Sequence, residues 1–115
     1  MKLITIIIPA FNETRTITKL LSKIFKLNLK KQVIVIDDCS TDDTKKKILK
    51  FKNKIDRIIF HKKNKGKGSA IKSAQKFIIG KYVIIQDADL EYEPKDILLM
   101  LKKIQKTKKF KAIYG

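Results

Sequence analysis

A chain of 115 residues has room for one domain with a modest core, so a single domain over 1–115 is expected. Its 43% hydrophobic and 34% charged residues suit a globular chain facing water, and no apolar stretch approaches the ~20 residues that cross a bilayer. The net charge of +17 comes from 28 basic residues against 11 acidic ones, yet only Arg15 and Arg57 are arginine, which argues against a dedicated nucleic-acid surface and for a solvated lysine coat.

In chain order, Leu3–Ile8 is a near-continuous apolar run, the pattern of a strand covered on both faces, and Pro9 is expected to end it. From Glu13 to about Leu27, the residues Ile17, Leu20, Leu21, Ile24 and Phe25 recur at helical spacing. Gln32–Ile36 reads as a second strand. Ser40-Thr41-Asp42-Asp43 then offers capping side chains and first-turn carboxylates to a helix running through Ile48, Leu49 and Phe51. Arg57–His61 is a short third strand, and Asn64–Gly68 a polar loop. Ser69–Ile79 is predicted as a helix with Ala70, Ile71, Ala74, Phe77 and Ile78 inward. Tyr82–Gln86 is the fourth strand, Pro94 opens a helix through Ile97, Leu98, Leu101 and Ile104, and Phe110–Tyr114 starts a fifth strand. The order βαβαβαβαβ predicts an α/β fold with a mostly parallel sheet. Crossover helices place the C-terminal ends of parallel strands on one edge, where open α/β sheets bind ligands.

Acid is scarce and clustered on that edge. Nine of the 11 acidic residues are Glu13, Asp37, Asp38, Asp42, Asp43, Asp87, Asp89, Glu91 and Glu93. Asp87-Ala88-Asp89 closes the fourth strand with two carboxylates two residues apart. In extended chain these point the same way and repel unless a cation such as Mg²⁺ or Mn²⁺ lies between them. Taken singly, each cluster has a plainer reading: a strand-to-helix turn at Glu13, a helix start at Asp37–Asp43, and the approach to a Pro94 helix at Asp87–Glu93.

Four segments together, in order and spacing, resemble the successive motifs of family 2 glycosyltransferases with the GT-A fold. They are Pro9-Ala10-Phe11-Asn12-Glu13, Ile36-Asp37-Asp38-Cys39-Ser40-Thr41-Asp42-Asp43-Thr44, Asn64-Lys65-Gly66-Lys67-Gly68-Ser69-Ala70 and Asp87-Ala88-Asp89-Leu90-Glu91-Tyr92-Glu93-Pro94. The likeness is strongest to the branch that transfers mannose or glucose to dolichyl or undecaprenyl phosphate. It implies a three-layer, Rossmann-like nucleotide-sugar-binding domain, with Mg²⁺ or Mn²⁺ as cofactor and a donor of the GDP-mannose or UDP-glucose class. A lipid phosphate is the implied acceptor, reached by inversion at the anomeric carbon. Members of that branch are longer, so the chain, ending in mid-strand at Ala112-Ile113-Tyr114-Gly115, is expected to be the truncated donor-binding part. A C-terminal half or a second chain would complete it. With one cysteine, Cys39, and no export signal after Met1-Lys2, the expected location is cytoplasmic, with peripheral attachment at the inner membrane face compatible with the lysine excess.

Carried over residue by residue, the resemblance puts Pro9, Ala10, Phe11, Glu13, Ile36, Asp38, Lys67, Gly68, Asp87, Ala88 and Asp89 at the nucleotide sugar. Phe11 stands where the family usually has Tyr, keeping a stacking face without the phenolic hydroxyl. Asp38 would accept a hydrogen bond from the base while Asp37 shapes the turn. Cys39 replaces a common Gly, so that turn is expected not to need a strongly glycine-only backbone. Lys67 and the N–H groups near Gly68 would meet the diphosphate. Asp87 and Asp89 are the implied catalytic residues, with Asp89 and Glu91 as metal ligands. His61 is expected to have no catalytic duty.

Other classes fit less well. A receiver domain carries its acidic pair after the first strand, and a dehalogenase-like phosphatase its Asp-x-Asp there, whereas Leu3–Ile8 is followed by neither. A basic nucleic-acid module lacks arginine and an aromatic platform here. An inactive nucleotide-binding interaction fragment stays open as the alternative.

Overall fold

Seven residues, Ile4–Ala10, form β1, the middle strand of a parallel sheet in the computed structural model, which describes residues 4–88, Asp96 and the backbone of 112–114. After it come α1 (Ile17–Phe25), β2 (Lys31–Asp37), α2 (Thr44–Leu49), β3 (Arg57–Phe60), α3 (Lys67–Gln75), β4 (Tyr82–Ile85) and β5 (Ala112–Tyr114). The strand order is β3-β2-β1-β4-β5, with every pairing parallel. The chain moves outward from β1 to β3 and then returns to the other side of β1, so the order switches between β1 and β4.

The alternation of a strand's side chains builds two core layers. Ile4, Ile6, Ile8 and Ala10 of β1, Val33 and Val35 of β2, and Ile84 of β4 pack with Ile17, Leu20, Leu21 and Ile24 of α1 and Ile48 of α2. On the opposite face, Ile7, Ile34, Ile36 and Ile85 meet Ala70 and Ala74 of α3. The two small alanines let α3 sit close to the sheet. The sheet is thus sandwiched between helices, which is why its inner strands are apolar on both faces.

Pro9 does not end β1, which continues to Ala10 in register with Asp37. The N–H of Asp38 donates to the Ala10 carbonyl on the β2 side, and the N–H of Gln86 donates to the Ile7 carbonyl on the β4 side, both at 2.9 Å. Odd residues of β1 therefore face β4, whose pairing stops at Ile85, and the missing N–H of Pro9 falls past that stop. Helix α1 begins at Ile17 rather than Glu13 because the preceding backbone is used elsewhere: Glu13 N–H donates to Thr44 Oγ1 at 2.8 Å and Thr14 N–H to Asp42 Oδ2 at 3.4 Å. Helix α3 begins two residues early, at Lys67, and stops at Gln75, while Phe77 and Ile78 still pack inward from the turn that follows. Of the helix expected from Pro94 to Ile104 only Asp96 is described, with helical backbone, and Leu3 lies outside the described residues.

Candidate active site

At the switch point, on the C-terminal edge of the sheet, a cleft of about 150 Å³ is lined by Pro9, Ala10, Phe11, Glu13, Asp38, Lys67, Ala70, Asp87 and Ala88. These residues come from four separate segments: the ends of β1, β2 and β4 and the start of α3. Phe11, 41% exposed, stands at the cleft. Lys67 Nζ lies 2.5 Å from Asp87 Oδ1 across it. Lys67 is half exposed, so this pair is worth ~1 kcal/mol or less and is readily exchanged for another cation or anion.

Eight of the residues expected at the nucleotide sugar thus meet in one place. Ile36 does not: its side chain is buried in the layer under α3 and packs with Ile34 and Ala70, because the alternation of β2 turns it into the core. Gly68 lies in the first turn of α3, exposed, and is not among the lining residues. Ala70, expected as an inward helix residue and not at the nucleotide sugar, also lines the cleft. Asp89 and Glu91 lie outside the described residues.

Three hydrogen-bond systems hold the rim. Asp37 turns inward, its carboxylate accepting from Ser40 Oγ at 2.5 Å and Ser40 N–H at 3.2 Å. Ser40 Oγ in turn accepts from Asn12 N–H at 2.9 Å, and Asn12 Oδ1 accepts from Thr41 N–H at 2.8 Å. Asn12 and Cys39 both adopt left-handed backbone, at φ 51° and 64°. The turn after β2 is left-handed at Cys39 without being closed to a side chain, which occupies it at a cost of ~1–2 kcal/mol. Helix α2 is capped from one residue earlier than its N-cap: Asp42 Oδ1 accepts from Thr44 N–H at 2.9 Å and Thr44 Oγ1 at 2.5 Å. Burial opposes ionisation of Asp42, but the Thr44 hydroxyl and N–H, with Thr14 N–H, outweigh it and hold the carboxyl below its usual range. Thr16 Oγ1 donates to the Ala88 carbonyl, tying the start of α1 to the end of β4.

Asp38, like Asp42, accepts three hydrogen bonds. Its Oδ1 accepts from Lys65 N–H at 2.9 Å and faces His61 Nδ1 at 2.8 Å, and its Oδ2 accepts from Gly66 N–H at 2.7 Å. Burial pushes its carboxyl up, yet the Lys65 N–H, the His61 ring and the Gly66 N–H together leave it lowered. A carboxylate has about four lone-pair positions, so one remains on Oδ2. Gly66 sits at φ 91° and ψ 164°, a region essentially restricted to glycine, which is how the loop presents two consecutive N–H groups to one carboxylate. His61 and Ser73 were not marked as site residues by the sequence. A histidine ending a strand carries no local signal of the partners that the fold brings to it.

The family model described as glycosyl transferase family 2 matches residues 5–113. The chain belongs to that family. A protein of Methanocaldococcus jannaschii is 40% identical over 95% of this chain and 49% of its own, and the dolichyl-phosphate beta-glucosyltransferase of Saccharomyces cerevisiae is 31% identical over 90% and 34%. Among solved structures, Staphylococcus aureus TarS in complex with UDP-GlcNAc superposes with a TM-score of 0.78 at 29% identity, covering 92% of this chain and 32% of that one. A Pyrobaculum calidifontis mannosyltransferase in complex with GDP-Man and Mn²⁺ gives 0.69 at 28% identity, covering 75% and 27%. The three-layer, Rossmann-like GT-A architecture read from the sequence is the one shared with these glycosyltransferases. This family 2 chain spans about half the length of the archaeal relative and a third of the yeast one.

Proposed function

We propose that this chain is the donor-binding part of an inverting family 2 glycosyltransferase, with the cleft at the β1–β4 switch as its nucleotide-sugar pocket. The observation that carries this reading is the convergence of Phe11, Asp38, Lys67 and Asp87 on that cleft from four segments spread over the chain. Phe11 supplies a stacking face for a base. The remaining lone pair of Asp38 suits a base N–H. Lys67, released from Asp87, would meet the diphosphate as a point charge. Asp87 would then turn to the ribose or sugar side, alongside Asp89.

A divalent ion fits the chemistry of this edge. Asp87 presents a hard carboxylate oxygen that already holds a cationic Nζ, although no group of three candidate ligands gathers among the described residues. Asp89 and Glu91 are the proposed ligands, and Mg²⁺ or Mn²⁺ would neutralise charge on the departing nucleoside diphosphate. The proposed acceptor is a polyprenyl phosphate, an anion near neutral pH that needs little help from a general base. Its oxygen forms the new bond to the anomeric carbon as the bond to the nucleoside diphosphate breaks, and that group leaves with the electron pair. The motif likeness and the yeast relative support a lipid phosphate. The single cysteine supports a cytoplasmic chain, and the lysine coat one that visits the anionic inner membrane face.

The test is calorimetric titration with UDP-glucose and GDP-mannose, with and without Mn²⁺, beside Asp89→Ala. Binding that needs Mn²⁺ and is lost in Asp89→Ala is expected. Binding without turnover on a polyprenyl phosphate would favour the second reading, a nucleotide-binding fragment completed by another chain, which the partial coverage of its relatives' length keeps in view. A folded wild-type chain that binds neither donor would overturn both.

A further inference from the structure

His61 links the cleft wall to the body of α3. Its Nδ1 lies 2.8 Å from Asp38 Oδ1 and its Nε2 2.8 Å from Ser73 Oγ, with the His61 and Asp38 side chains 6% and 5% exposed. Hydrogen counting orients this network. An ionised carboxylate can only accept, so Nδ1 carries a proton and donates to Asp38. Ser73 has one hydroxyl hydrogen and two candidate acceptors, the Ser69 carbonyl at 3.0 Å and Nε2. If Ser69 takes it, Nε2 is protonated and donates to Ser73, and the ring is an imidazolium. If Nε2 takes it, the ring is neutral. In both states the Nδ1–H bond to Asp38 is kept.

The connectivity is that of a hydrolase triad, but it is not built as one. Ser73 lies inside a helix whose N–H groups serve its own ladder, so no donors remain for an oxyanion. What the network does hold is the Asp38 carboxylate. Fixed from one side by His61, Asp38 accepts from Lys65 and Gly66 N–H and so sets where α3 begins. Lys67, the first residue of α3, faces Asp87 across the cleft.

We propose that His61 is a positioning residue of the cleft, holding Asp38 through Nδ1 so that the Lys65–Gly66 turn and Lys67 stay in place for an anionic ligand. The structural half of this inference stands alone, while its effect on ligand rests on the nucleotide-sugar reading above. The test compares His61→Asn, whose amide places a donor near the Nδ1 position, with His61→Gln, whose donor reaches toward Ser73 instead, and His61→Phe, which has none.

Two readouts are taken on the full chain. The first is the proton shift and exchange protection of the Lys65 and Gly66 amides, and the second is affinity for UDP and GDP with Mn²⁺. His61→Asn is expected to keep both amide signatures and affinity close to wild type. His61→Gln and His61→Phe are expected to lose amide protection and bind about tenfold more weakly, the scale of one lost hydrogen bond to a charged group. If His61→Phe fails to fold, His61→Gln decides. Unchanged amides in a folded His61→Gln or His61→Phe would overturn the proposal. A wild-type chain that binds neither nucleotide would sink the functional reading, and the amides would still decide the positioning role.

Discussion

At the scale of single residues, the two glycines of the Asn64–Gly68 loop have opposite meanings. Gly66 has φ 91° and hands its N–H to Asp38, whereas Gly68 lies in α3 with open space where a Cβ would go. Gly66→Ala is expected to cost ~1–3 kcal/mol, since the backbone it needs is closed to a side chain. Gly68→Ala is expected to be neutral or to stabilise by ~0.5–1 kcal/mol through helix propensity. Urea denaturation of both variants checks this, and a Gly66→Ala protein as stable as wild type would refute the reading of the loop. The motif spacing marked this loop as functional but could not say which glycine mattered, because backbone dihedrals are decided by the carboxylate they serve. The same blindness applied to Cys39. Its side chain argued only against a glycine-only turn and could not announce the left-handed one that Asp37 and Ser40 fold around Asn12.

At the scale of elements, strands and helices were legible because apolar periodicity reports burial, and burial here follows two clean layers. Their ends were not, since they are set by polar partners distant in sequence. The clearest case is at the N-terminal edge of the sheet, opposite the cleft. There Thr5 Oγ1 donates to Gln32 Oε1 at 2.6 Å and accepts from Gly80 N–H at 2.9 Å, while Gln32 Nε2 donates to the Phe77 carbonyl at 2.7 Å. This buried polar knot ties the α3–β4 connection to β1 and β2, and nothing in the pattern of Thr5 or Gln32 announces it. It also leaves no room at Gly80, where an added Cβ would lie 2.5 Å from Thr5 N and 2.6 Å from Ile4 C. Both are backbone atoms that cannot swing away. Gly80→Ala is therefore expected to lose ~1–3 kcal/mol by overpacking. A thermal midpoint unchanged from wild type would show that the connection shifts more freely than this packing implies.

At the scale of the whole molecule, the two edges of the sheet are fastened differently. The described core between them is mostly aliphatic and holds no carboxylate, while the cleft edge is held by carboxylates that accept backbone N–H bonds. Convergence of the acidic segments on that edge was legible from strand order alone, since parallel strands must end together. The scaffold duties of Asp37 in its turn and of Asp42 at the start of α2 were legible too, whereas the bonds of Asp38 to His61 and the Lys65–Gly66 turn were not. Both Asp38 and Asp42 have folded carboxyls below their usual value, so in acid the unfolded chain binds protons that the folded one does not. Their stabilisation is complete above the ordinary aspartate value of about 3.9 and is lost as pH falls through the lower folded values. Neutralising 11 acids in a chain already at +17 adds self-repulsion over the same interval, so wild type alone cannot isolate the effect. Asp42→Asn can: its amide oxygen still accepts from Thr44 but no longer titrates. Between pH 5 and pH 2.5 the thermal midpoint of Asp42→Asn is expected to fall less steeply than that of wild type. Parallel curves would mean that the cap on α2 is not what acid undoes, and would leave Asp38 and the general charge as its target.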